Sequence, residues 1–366
     1  MNRTLVAAAC LAVAPIFVTA ANAESPEAAS ARQQLEPYRH LPKFQAPGEA
    51  FDARACMKGK SILSIPASSA VPFIKTIEQS IEKIAGEIGF TYKPWENQGQ
   101  VTQWVQGFDY AINNKFQLIE LLAGADPRFV EPQVKAAKAA GLLVVAAHLT
   151  GYEQPMPGGV TGVVPIDYKR AGGLLADWAI WKTEGKANAS VMGVSDVLST
   201  DSMFSGVKEE FAKCPSCKAS YMNVSIPEMA VKTQSMAQGA LTADPNLNYM
   251  IPIYDVLSQW VVPAVIISGR HEKVKVITFN GTPFALTMVQ DGKIEMDIGE
   301  NLDWIGHAAI DSEMRMICGL PAVKDPKIPL LIFDKSNADS AGKPAQVSTG
   351  YGDAYLAGYR QLWKLK

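Results

Sequence analysis

Lys273-Val274-Lys275-Val276-Ile277-Thr278-Phe279-Asn280-Gly281-Thr282-Pro283 is the stretch whose reading decides the fold. From Val274 to Phe279 it reads as a buried β-strand, because its nearly continuous apolar run suits a parallel strand covered by helices on both faces. The chain must leave the sheet sharply at Asn280-Gly281, and Gly281 permits the positive φ that such an exit needs. Phe279 and Asn280 then lie at the carboxyl edge of a sheet, where open α/β folds bind ligands. An aromatic ring beside a short amide suits a polyhydroxylated ligand: the ring covers C–H faces, and the amide both donates and accepts hydrogen bonds.

On either side of this strand the chain alternates strand with helix. In a first block, strands are expected at Ser61–Pro66, Phe90–Trp95, Leu118–Leu122 and Leu142–Ala147, the last ending on His148. The helix over Val71–Ile88 tolerates Pro72 in its first turn, and Phe73, Ile74, Ile77, Ile81, Ile84 and Ile88 recur at helical spacing. After a Gly/Pro-rich connection, Gly151 to Gly162, the alternation restarts. Strands are expected at Val163–Ile166, Ala189–Val194, Tyr221–Ile226 and Met250–Ile253, then the quoted strand, then Ile294–Ile298 leading to Glu300. Helices over Tyr168–Lys182, Asp201–Phe211, Leu257–Ile267, Asn301–Cys318 and a candidate last one over Ala354–Trp363 complete the pattern. The fold class is therefore α/β, with two Rossmann-like, doubly wound parallel-sheet domains facing one another across a cleft.

A length of 366 residues exceeds one ordinary core and agrees with two domains. A formal net charge of -2 gives no reason to expect nucleic acid or an anionic membrane as partner. Asn2-Arg3, the apolar run Leu5–Val18 and the small-residue site Ala21-Asn22-Ala23 read as a cleaved export signal. Residues 24–57, rich in Ala, Pro and Gln without sustained periodicity, read as a surface extension.

Beyond Cys10, the cysteines left are Cys56, Cys214, Cys217 and Cys318, an even set that favours disulfides in an oxidising compartment. Cys214-Pro215-Ser216-Cys217 suits a structural bridge, with redox and metal roles as the alternatives, and Cys56 with Cys318 is the leftover pair. No second C-x-x-C or histidine pair completes a zinc site.

Catalytic signatures are missing. The chain has 4 histidines and no G-x-S-x-G. Neither a Walker phosphate loop nor G-x-G-x-x-G after a strand occurs. An enzyme is not expected, nor is a cofactor or metal.

Several pieces, in order, resemble the periplasmic ribose-binding protein family, the sugar-receptor branch of type I solute-binding proteins. Pro72-Phe73 looks like the family's Asn-Pro-Phe-Phe turn, and Pro132 to Gly141 like the helix before its fourth strand. Val276-Ile277-Thr278-Phe279-Asn280-Gly281-Thr282-Pro283 is similar to its Gly-Phe-Asp-Gly-Thr-Pro, and Gln290-Asp291-Gly292-Lys293 to its Asn-Asp-Gly-Lys. The resemblance covers about Lys58 to Phe333. It implies a periplasmic Venus-flytrap receptor that closes on a small solute and delivers it to an ABC-type permease; a monomer is expected.

It also implies a three-crossing hinge near Val163-Pro165, Glu300-Asn301 and Leu331-Phe333. The divisions expected are 1–23, signal; 24–57, extension; 58–162 plus 301–332, one lobe; and 163–300 plus 333–366, the other.

Ligand positions carry over unevenly. Phe73 falls on a sugar-stacking ring and Phe279 on an aromatic near the pocket. Asn280 replaces the usual Asp, Glu300 stands where Gln is frequent, and Tyr254, beside Asp255, replaces an Asn. His148-Leu149 stands in place of Asp-Arg, and Asp201-Ser202-Met203-Phe204 in place of a segment opened by Arg. Both ligand-gripping arginines are thus missing, which puts a ring sugar bound in the family manner in doubt.

The candidate set is Phe73, Asp126, His148, Asp201, Met203, Tyr254, Asp255, Phe279, Asn280 and Glu300, aimed at a neutral, hydroxyl-rich solute such as a sugar or polyol. Asp126 and Asp201 suit helix caps as well, and His148 a structural hydrogen bond. An aromatic acid or a signalling molecule remains an alternative guest for the same fold.

Overall fold

In the computed structural model, residues 24–365 are described; the export-signal reading of residues 1–23 lies outside them. Strands β1 (Ser61–Pro66), β2 (Thr91–Pro94), β3 (Leu118–Leu122), β4 (Leu143–Gly151) and β5 (Gly162–Ile166) form an all-parallel sheet in the order β2-β1-β3-β4-β5. A second sheet holds β6 (Asn188–Val194), β7 (Lys218–Val224), β8 (Tyr249–Pro252), β9 (Lys275–Asn280), β10 (Met296–Glu300) and β11 (Leu330–Asp334). Its order is β11-β10-β9-β8-β6-β7, and β11 alone runs antiparallel. The quoted stretch is β9, buried from Val276 to Asn280 in the interior of that sheet.

Apart from β11, both sheets wind alike. In each, the order turns back beside the first strand, so each has a switch point at its carboxyl edge, where such sheets take ligands.

The helices, in chain order, are α1 (Pro26–Leu35), α2 (Ala53–Met57), α3 (Pro72–Ile88), α4 (Val101–Asn113), α5 (Glu131–Ala139) and α6 (Tyr168–Lys182). They continue with α7 (Ser199–Ala212), α8 (Met229–Ala243), α9 (Asp255–Ile267), α10 (Pro283–Gln290), α11 (Leu302–Ile317) and α12 (Ala354–Leu362). None of the described helices is long and apolar enough to cross a membrane.

The period-2 geometry of strands divides the first lobe's core. Ile62, Leu118, Val145 and Ala147 face α3 and α11; Leu63, Ile65, Ile119 and Val144 face the layer of α4 and α5. Helix α3 starts with Pro72 at its first turn and stops at Gly89, which takes the left-handed conformation (φ 98°). In the second lobe α6 and α7 approach until backbone nearly touches backbone. A Cβ on Gly172 would collide with the Met203 carbonyl, and one on Gly206 with that of Lys169.

The structure departs from the sequence reading in several elements. Residues 24–57 are not an irregular surface extension: α1 buries Ala28, Ala31 and Leu35 in the second lobe's core, while Phe51, Ala53 and Met57 enter the first lobe's. Strand β11, unpredicted, closes the second sheet. Strand β7 ends at Val224 rather than Ile226. Finally, β4 does not stop at His148 but runs to Gly151 through an irregularity in its pairing with β5, with His148 at φ 53°.

The chain passes between the lobes at 166–168, 300–302 and 318–330. The terminal segments cross as well. Arg39 pairs with Asp334 of β11 at 3.1 Å, whereas Phe44 packs on Trp304 and Tyr359 in the first lobe. At the other end, Tyr351 lies in a cluster with Leu331 and Phe333, and Tyr355, Tyr359 and Trp363 pack with α11. Helix α12 therefore sits on the first lobe, whereas the sequence reading assigned 333–366 to the second.

Cys56 is bridged to Cys318, tying α2 to the end of α11, and Cys214 to Cys217 in the turn before β7. Their Cα separations are 5.9 and 5.3 Å, within the range a disulfide spans.

Candidate functional site

A cavity of about 70 Å³ opens where the two carboxyl edges meet. Ala67 after β1, the start of α3 (Val71 to Ile74), Ala123 after β3 and His148 in β4 supply its first-lobe wall. Opposite them stand Tyr168 at the start of α6, Val194 and Val197 after β6, and Ser199. Ile226 and Met229, Tyr254 to Val256 after β8, and Asn280, Thr282 and Phe284 after β9 complete that wall. Apart from His148, inside β4, each of these is a strand exit or a first helix turn, so the winding of the two sheets places them.

His148 holds the centre. Its left-handed backbone lies where β4 loses register with β5, and the distortion re-aims the side chain. Nε2 is 2.9 Å from Oε2 of Glu300, and Nδ1 is 2.5 Å from the Tyr168 hydroxyl. That hydroxyl also donates to the His148 carbonyl oxygen at 2.9 Å. The Phe73 ring leans on the imidazole with centroids 5.0 Å apart. The amide of Asn280 donates to the same Glu300 oxygen at 3.4 Å. Glu300 is fully buried and does not line the cavity; it fixes His148 and Asn280 from behind.

On the far wall the Tyr254 hydroxyl sits 2.8 Å from Ser199 Oγ and 3.2 Å from Thr200 Oγ1, and burial pushes its pKa up to about 12. Asp255 Oδ2 accepts from the Thr282 amide at 2.7 Å and from its hydroxyl at 2.5 Å. Burial raises the Asp255 carboxyl to about 7, against the pull of those two bonds. Asp297 next to it is raised as well, by burial first and then by the charge of Asp255.

Five of the residues expected from sequence line the cavity: Phe73, His148, Tyr254, Asp255 and Asn280. The others do not. Asp126 caps the turn beginning at Pro127, accepting from the Arg128 amide at 2.9 Å, with the Arg128 guanidinium 2.5 Å away. Asp201 is exposed in the first turn of α7. Met203 is fully buried, its backbone against Gly172 of α6. Phe279 is fully buried too, its ring 6.0 Å from that of Tyr168 and edge-on to it.

Residues the sequence reading passed over include Tyr168, Ser199, Val256, Thr282 and Phe284. Their common signal is position, one or two residues past a strand or at a helix start. Among the described residues no group of three or more His, Cys, Asp or Glu is placed to hold a metal.

A cleft between the facing carboxyl edges of two like-wound sheets defines a two-lobed binding protein of the type I periplasmic class. Residues 62–321 match the family described as periplasmic binding protein domain, and the chain belongs to that family. Among characterised proteins it is similar to the ribose import binding protein RbsB of Escherichia coli (strain K12), at 22% identity over 253 residues, 68% of this chain and 81% of that one.

Among solved structures it is similar to GanP, a glucose-galactose binding protein from Geobacillus stearothermophilus. The TM-score is 0.68 and the identity 16%, over 76% of this chain and 98% of that one. A Caulobacter myo-inositol binding protein bound to myo-inositol gives a TM-score of 0.68 at 17% identity, over 79% and 97%. A solute-binding protein from Burkholderia graminis in complex with D-arabinose gives 0.68 at 21%, over 77% and 97%. At such identities the likeness is one of fold. These relatives are binding proteins, not enzymes.

Proposed function

We propose that the protein is the exported receptor of an ABC-type importer, taking a small uncharged solute between its lobes and passing it unaltered to a membrane permease. The observation that carries this reading is the interlobe cavity itself: it is built from strand exits of both sheets, and no Arg or Lys lines it. Residues 1–23 read as the signal that sends the chain to the periplasm, and it acts there as a monomer.

The solute docks on one lobe, and closure completes its contacts. The preference of the solute for the closed arrangement supplies the shift. Kinship adds a class, because the relatives are named for ribose, glucose and galactose or are bound to D-arabinose and myo-inositol. A sugar or polyol is the reading that follows from them. The mostly aliphatic and aromatic lining favours a second reading, a guest with fewer hydroxyls.

Thermal-shift measurements on the purified protein test the receptor reading, because a ligand that binds the folded state raises its apparent stability. The panel holds pentoses, hexoses, pentitols and uncharged alcohols, with amino acids and aromatic acids as charged controls. A neutral solute should raise the melting temperature and be recovered unchanged. Stabilisation by charged solutes alone, or conversion of the solute to a new compound, would contradict the proposal.

A further inference from the structure

Resting on that receptor reading, we infer that the guest is a neutral molecule with an apolar body no larger than a single ring, carrying only one or two hydroxyl or carbonyl groups. Three observations on the cavity lead there.

The first is its lining. Val71, Ile74, Val194, Val197, Ile226 and Val256 face it together with the rings of Phe73 and Phe284. Aliphatic and aromatic walls gain from covering apolar surface and gain nothing from hydroxyls.

The second is the state of the polar groups. Both ring nitrogens of His148 are engaged, by Glu300 and by Tyr168. The Tyr254 and Ser199 hydroxyls hold each other. Thr282 is committed to Asp255, through both its amide and its hydroxyl. What stays open to a guest is the Asn280 amide, the unpaired Oδ1 of Asp255 and the spare valence of the Tyr254–Ser199 pair. A pentose brings four hydroxyls and an inositol six, and every hydroxyl buried without a partner weakens binding. One or two polar groups match the partners on offer.

The third is charge. Asp255 lines the cavity, Glu300 and Asp297 lie behind it, no Arg or Lys faces it, and its one histidine, His148, is already paired with Glu300. A carboxylate guest would be buried among acids without a counter-ion. A cationic guest would find one oxygen of Asp255 bound to Thr282 and one oxygen of Glu300 bound to His148 and Asn280, and burial raises the Asp255 carboxyl toward its neutral form. The volume of about 70 Å³ sets the scale, since it holds a few water molecules and a ring enters only as the lobes part slightly.

Calorimetry on the full mature protein tests this with four probes: benzyl alcohol, benzoate, D-ribose and myo-inositol. Benzyl alcohol should bind at least tenfold more tightly than each of the others, with the negative heat-capacity change of apolar burial. Phe284→Ala, at a half-buried ring of the wall, should weaken benzyl alcohol about tenfold, with the variant still unfolding in one cooperative transition. Tighter binding of either polyhydroxylated probe would overturn the inference and leave the receptor reading standing. Tighter benzoate would overturn both the inference and the neutral-solute reading. Equal benzyl alcohol binding by the variant and the parent would place the guest elsewhere and overturn the inference, as would no binding of any of the four.

Discussion

Asn280 ends the central strand of the second sheet with φ 137°, a conformation in which Gly281 follows it directly. The tight exit turns its amide to the cavity while one of its hydrogens reaches Glu300. Removing that amide leaves a guest's polar group and Glu300 both short of a partner. Asn280→Ala should therefore weaken binding of the neutral solute by ~1–3 kcal/mol, read by calorimetry, with the fold retained.

A second residue-scale feature lies away from the cavity. Glu78, Glu120 and Glu313 are buried in the first lobe beside Ser64 and Tyr92, with Ser64 donating to Glu78 at 3.0 Å and Tyr92 to Glu120 at 2.7 Å. Burial raises all three carboxyls, Glu78 to about 8. Their folded-state pKa values stand above the unfolded ones, so the native state keeps protons that the unfolded chain has lost. The resulting stability is fully present below the unfolded value and is lost as pH climbs through the raised ones. Glu313→Gln removes one such proton. The melting temperature of the variant should fall less than that of the parent between pH 5 and pH 8.5, as ~pH limits bracketing that window. An equal fall would show that folding does not raise the Glu313 carboxyl.

Elements carry the fold, and they were the most legible part of the sequence. The apolar runs of β1, β3 and β9 and the isoleucine stripe of α3 announce themselves because burial on both faces of a sheet, or on one face of a helix, leaves a period in the chain. Other elements leave no such mark. Helix α1 buries two alanines and one leucine, too small a stripe to stand out. Strand β11 is five residues long and joins its sheet antiparallel at an edge.

The site was half legible for a related reason. Phe73, His148 and Asn280 sit at strand exits or a helix start that the pattern marks, but whether a residue such as Met203 or Val256 faces the cavity or the core depends on a helix's rotation. The α6–α7 contact is the most stringent of the packing constraints. Gly206→Ala puts a methyl against the Lys169 carbonyl, backbone that cannot swing aside. It should destabilise the protein by about 1–3 kcal/mol or more, measured by urea unfolding; a change within error would mean that the two helices separate freely.

At the scale of the whole molecule, two lobes of like winding are joined by three internal crossings and by both terminal segments. The solved relatives match nearly their full length to about three quarters of this chain, and the family match stops at residue 321. The straps of 24–57 and 335–363 therefore lie mostly beyond it. They lie over both lobes, with Arg39 on β11 and Phe44 on α11 from one strap, Tyr351 and Tyr359 from the other. The cavity belongs to neither lobe alone, since His148 comes from one sheet and Tyr254 and Asn280 from the other.

A crystal structure of the protein with its neutral guest tests that shared cavity most directly. The guest should lie between Phe73 and Phe284, with a polar group on the Asn280 amide and both sheets' carboxyl edges in contact with it. A guest held by one lobe only, or seated outside the cavity altogether, would contradict the account.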